Sequence, residues 1–100
     1  MKAFKISPRV REKLTAPDHA VTMDEIVECF MNMEGPAFQD DRADHVTDPP
    51  TQWFVAETDR RRVLKIVYVE YPDFFAIKSA YQATQKWVNL YAEMCAQHTP

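Results

Sequence analysis

Glycine is nearly missing from this chain: Gly35 is the only one in 100 residues. Phosphate-cradling loops of the Walker or dinucleotide-binding kind need several glycines for close backbone approach, so neither can be placed anywhere along the sequence. Cysteine is scarce as well. Cys29 and Cys95 stand far apart with no second Cys or His at metal-ligand spacing. That disfavours a zinc site and a Cys-x-x-Cys redox pair, and two reduced, partly buried thiols are the expectation. No apolar run approaches the roughly 18 residues of a membrane span. The opening MKAFKISPRV also lacks the apolar centre of a secretory signal, so no membrane association and a cytoplasmic location are expected. There is no cofactor motif and no nucleophile triad. The acidic stretch DDRADH has neither the glycine nor the closing glutamate of a calcium loop, so neither metal nor cofactor is expected.

What is present is apolar surface and unevenly placed charge. With 46% hydrophobic residues the chain has enough to bury for a folded core, and its length suits one domain over residues 1–100. The net charge of −3 hides an asymmetry. Residues 36–59 carry Asp40, Asp41, Asp44, Asp48, Glu57 and Asp59 against Arg42 alone. Residues 60–100 carry Arg60, Arg61, Arg62, Lys65, Lys78 and Lys86 against Glu70, Asp73 and Glu93, and local fields of this kind steer polyanions more than the total does.

The periodicities predict an α+β domain. KAFKI alternates as a short strand, and Ser7 with Pro8 opens a short helix carrying Val10 and Leu14 on one face. Thr22 and Glu25 have capping-box spacing, Met23, Ile26, Val27 and Phe30 form the apolar stripe of a second helix, and Gly35-Pro36 stops it. A short strand at Ala37 to Gln39 precedes an acidic, proline-bearing loop. TQWFVAET, RVLKIVYVEY and FFAIKSAY then read as a three-strand antiparallel meander turning at TDRR and at Pro72. A terminal helix from Thr84 places Trp87, Leu90, Tyr91 and Met94 on one stripe. The expected whole is a small antiparallel sheet, the meander plus the N-terminal strand, packed by two N-terminal helices and a C-terminal helix. Because the strand from Arg62 to Tyr71 is apolar on both sides, it belongs at the centre.

Two segments carry a family resemblance. VTMDEIVECF, following the His19 turn DHAVT, and RRRVLKIVYVEYPDFFAIKSAYQAT together resemble the BrnT-type toxins of the RelE/ParE-like superfamily over about residues 7 to 91. The resemblance implies a bacterial toxin–antitoxin component: a small endoribonuclease that binds RNA and is held inactive by a cognate antitoxin protein. The chain departs from the family pattern at Tyr81, where an arginine commonly follows Ser-Ala, and in a last helix whose basic residues reduce to Lys86.

Metal-independent RNA cleavage by 2′-hydroxyl attack needs a proton acceptor, a proton donor and positive charge at the phosphorane. His45, Lys65, Lys78 and Tyr81 are the candidate catalytic residues, and Arg60, Arg61, Arg62 and Lys86 the candidate RNA contacts. Each has a plainer reading: a solvated arginine turn, a core-packed aromatic, an ordinary loop histidine, or a lysine snorkelling at a sheet edge. The alternative function is a catalytically inactive relative that binds a partner protein, its basic face docking an acidic or amphipathic segment.

Overall fold

A computed structural model describes residues 2–40 and 48–98 of the chain. Its helices begin where their capping chemistry dictates. Ser7 Oγ accepts a hydrogen bond from Val10 N at 3.2 Å and Pro8 follows, opening α1 (Pro8–Thr15). Thr22 and Glu25 complete a reciprocal capping box on α2 (Met23–Met31), with Glu25 N donating to Thr22 Oγ1 and Thr22 N donating to Glu25 Oε1. A third helix, α3 (Gln85–His98), closes the fold. No helix among the described residues is long and apolar enough to cross a membrane.

Five strands form one sheet: β1 (Ala3–Lys5), β2 (Phe38–Gln39), β3 (Thr51–Glu57), β4 (Val63–Glu70) and β5 (Phe74–Gln82), in the order β1-β5-β4-β3-β2. The α+β class is as expected, and the meander β3-β4-β5 is antiparallel throughout. The expectation of a purely antiparallel sheet is corrected at one edge. β1 pairs with β5 in parallel, Phe4 opposite Phe75, because α1 and α2 carry the chain away before the meander returns. β2 adds a short antiparallel edge to β3, Phe38 opposite Trp53. β4 is central, which is why its residues 64–69 are all buried.

Period-two alternation divides the sheet's side chains between two layers. On one face, α1 and α2 cover Phe54, Leu64, Ile66, Tyr68, Ile77 and Ala80, with Leu14, Ile26 and Cys29 from the helices. Phe30 is the hub, its ring 4.9 Å from Phe54 and 5.1 Å from Tyr68 in edge-on contacts. The opposite face carries Trp53, Val55 and Val67, against which Trp87, Val88, Leu90 and Met94 of α3 pack. Cys29 is sealed in the first layer, where burial, with the nearby charges of Glu25 and Glu28, pushes its thiol up to about 12 and makes it unreactive.

The β3–β4 turn has the geometry of a three-residue hairpin loop. Thr58 N donates to Arg62 O at 2.9 Å, Arg61 N donates to Thr58 O at 2.9 Å, and Arg61 sits in the left-handed region at φ 65. Glycine usually fills that position; here an arginine does.

Candidate functional site

The three consecutive arginines do not act together. Arg62 turns toward the helical pair, where its Nη1 donates to Ala20 O at 2.8 Å and lies 3.1 Å from Glu25 Oε2, while Nη2 donates to His19 O at 2.9 Å. It ties the α1–α2 turn and the capping box of α2 to the start of β4. Arg60 and Arg61 are exposed at the hairpin tip, and Lys86 is exposed in the first turn of α3. Lys78 is exposed at a bulge in β5, where the register shifts between the pairs Val67–Ser79 and Tyr68–Ile77 and leaves it opposite no residue. His45 lies outside the described residues.

Lys65 and Tyr81 are brought together. They are direct cross-strand partners on β4 and β5, and the Lys65 ammonium lies 5.6 Å from the Tyr81 ring centroid. Around the same nitrogen stand Trp53, at 5.2 Å, and Trp87, at 3.4 Å from the ring centroid. Rings from β3, β5 and α3 thus offer their electron-rich faces to one cation. Lys65 is only 3% exposed. On the central strand it cannot be a lysine snorkelling at a sheet edge, so that reading is set aside.

A small pocket of about 290 Å³ opens beside this cluster, lined by Asp40, Trp53, Lys65, Trp87, Leu90 and Met94. Asp40, itself buried, ends the strand-like run after β2 and donates its backbone N–H to Thr51 O at 2.7 Å. Tyr81 also leads outward: its ring meets the imidazole of His19 edge-on at 5.9 Å. His19 Nδ1 is buried and makes no directed hydrogen bond, although the Asp18 carboxylate lies at ion-pair distance, 3.3 Å. Arg62 places this histidine by holding its carbonyl.

Trp53, Asp40 and His19 are not among the candidate catalytic or RNA-contacting residues that the sequence offers. Only Trp53 leaves a readable signal: Thr51, Trp53 and Val55 share one side of β3, and an indole there must face whatever covers that side. Among the described residues, no three of His, Cys, Asp and Glu gather as a metal site. A larger cleft lies elsewhere, between the end of α2, the β3–β4 turn and α3.

No protein-family model matches the chain, and no curated protein matches it.

Proposed function

We propose that this protein is the toxin-like component of a bacterial toxin–antitoxin pair, a cytoplasmic domain of RelE/BrnT type that acts by binding a partner protein and has little or no nuclease activity of its own. The resemblance of the two segments described above supports the toxin-like architecture. So does the order of elements, a strand and two helices, then an antiparallel meander and a terminal helix. The observation that carries the choice of partner binding over catalysis is the distribution of cations. Lys65 is buried under Trp87, and Arg62 is committed to Glu25 and two carbonyls on the opposite layer. A phosphorane needs accessible charge on one concavity, and among the described residues that constellation is not assembled.

The Lys65–Tyr81 pair favours a second reading, that of a metal-independent endoribonuclease using 2′-hydroxyl attack. A lysine beside a tyrosine, with two indoles for base stacking, is a set of groups that RNA cleavage can use once α3 is out of the way. Incubating the purified protein with structured and single-stranded RNA, beside Lys65→Met and Tyr81→Phe, separates the two. The expected outcome is no cleavage by wild type above that of the variants. Cleavage to 2′,3′-cyclic phosphate ends that falls roughly a hundredfold or more in either variant overturns the non-catalytic reading in favour of the nuclease.

A further inference from the structure

The larger cleft, about 630 Å³, has an apolar floor and an acidic rim that none of the readings above use. Its floor is apolar, made by Val55 and Val63 of the sheet with Val88 and Tyr91 of α3. Its rim is acidic: Glu34, Glu57 and Asp59 line it, and Arg61 is the only cation among the described lining residues. Glu34 and Glu57 are exposed, and among the described residues their carboxylates take part in no hydrogen bond or ion pair.

The rim is also preformed. Asn32 Nδ2 donates to Glu57 O at 3.0 Å and to Asp59 Oδ1 at 2.9 Å, and Asp59 N donates to Glu28 Oε1 at 2.9 Å. The end of α2 is thereby stitched to the β3–β4 turn. Arg61, which lines the cleft, is held in a left-handed conformation unfavourable to an arginine, and strain of this kind collects at binding sites.

We propose that this cleft is the docking site for a basic, amphipathic segment of a partner protein, whose apolar side chains fill the floor while its lysines or arginines meet Glu34, Glu57 and Asp59. The volume suits one or two anchoring side chains, and an apolar centre within a charged rim is the usual anatomy of a protein interface. The inference rests on the partner-binding reading for the existence of a partner, but it assigns a place and a charge opposite to the acidic segment expected at the exposed basic residues.

The test uses the full chain and two short synthetic helical peptides with leucines at the same i, i+3, i+4 spacing, one with lysine and the other with glutamate at the polar positions. Amide NMR shifts locate the contact and titration gives the affinity. The lysine peptide is expected to bind with shifts concentrated at Val55, Val63, Val88 and Glu57, and the double variant Glu34→Lys, Glu57→Lys to weaken it roughly tenfold or more. Ala92→Arg, on an exposed position of α3 at the cleft, supplies a second obstruction that leaves the core untouched and is expected to abolish those shifts. Absence of lysine-peptide binding, or binding indifferent to both variants, overturns the proposal. Binding of the glutamate peptide at Arg60, Lys78 or Lys86 instead overturns the cleft while leaving the partner-binding reading in place. RNA cleavage lost in Lys65→Met removes that reading without touching the cleft.

Discussion

The two faces of the sheet are covered by helices of unequal grip. Beneath α1 and α2 lies a continuous apolar layer in which Ile26, Cys29, Phe54, Leu64, Ile66 and Ala80 are wholly inaccessible. Beneath α3 the sheet buries Lys65, Thr51 and Ser79 beside its apolar residues, and no residue of α3 itself is fully buried. Apolar burial has no directional requirement, so the first face can be sealed by shape alone. Polar groups out of water need specific partners, so the second face is held by particular contacts such as the stacking of Trp87 on Lys65 and the hydrogen bond of Tyr91 Oη to Pro36 O at 2.8 Å. The first face is the apolar core of the fold, and the second holds buried polar groups as well.

The sharpest way to break this contrast is to remove one ring from each layer. Phe54→Ala deletes a ring with no exposed surface from the centre of the Phe30–Tyr68 cluster, and is expected to cost about 3–5 kcal/mol by lost transfer energy and cavity formation. Domains of this size are commonly stable by only about 5–15 kcal/mol, so that variant sits near the unfolding threshold. Trp87→Ala, whose ring is half-buried, is expected to cost about 1–2 kcal/mol in the same denaturant titration. Equal losses at the two positions would show that α3 is as much a part of the core as α2.

Arg62 sharpens the comparison from the electrostatic side. Burial pushes the Glu25 carboxyl up, but the hydrogen bond from Thr22 N–H and the hydrogen bonds and charge of Arg62 outweigh it and hold the group below its ordinary 4.5. A carboxylate depressed in the folded state stabilises above its unfolded pKa, and that contribution is lost as pH falls through the folded value. Below pH 4.5 the wild type therefore loses part of the tie between α2 and β4. Arg62→Ala is expected to cost about 2 kcal/mol at neutral pH, since it leaves two carbonyls and Glu25 without their donor, and to flatten the acid limb of the stability curve. Arg60→Ala, at the exposed tip, is expected to stay within about 0.5 kcal/mol. Parallel acid limbs for wild type and Arg62→Ala would contradict this role.

These residues also show which parts of the molecule a single sequence displays. Local chemistry is legible: Ser7 with Pro8 and Thr22 with Glu25 announce their helices because caps are contacts between near neighbours. The central place of β4 follows from its being apolar on both sides. Register is a different matter. Extending the pairs Tyr68–Ile77 and Val69–Ala76 without interruption would set Lys65 opposite Ala80; the bulge at Lys78 moves the partner to Tyr81. Nothing in FFAIKSAY marks that bulge, so the pairing at the candidate site is invisible until the strands are in place. The arginine run fails for a related reason. Arg61's left-handed backbone redirects the chain between Arg60 and Arg62, so three adjacent charges end in different surroundings. The parallel attachment of β1 is likewise a long-range result, decided by where two intervening helices deposit the chain.

A single added methyl gives the finest probe of α3. Gly35 is the residue over which the helix settles: a Cβ built there would lie 2.8 Å from both Cys95 Sγ and Tyr91 Oη. Those atoms belong to α3, and Tyr91 Oη is already fixed by its bond to Pro36 O. Gly35→Ala therefore forces Cys95, Tyr91 or the helix that carries them to shift, at a cost of about 1–3 kcal/mol from overpacking. The atoms nearest the added methyl all belong to α3, so the strain falls first on that helix. What changes is the cover over Lys65, because Trp87 rides on the same helix. Brief treatment with an amine-acylating reagent, read by mass spectrometry, is expected to label Lys65 several-fold faster in Gly35→Ala than in wild type, while Lys5, Lys78 and Lys86, already exposed, react at unchanged rates. Unchanged labelling at Lys65 would mean that α3 is held by its apolar stripe alone, and the distinction between a face sealed by shape and a face sealed by specific contacts would disappear.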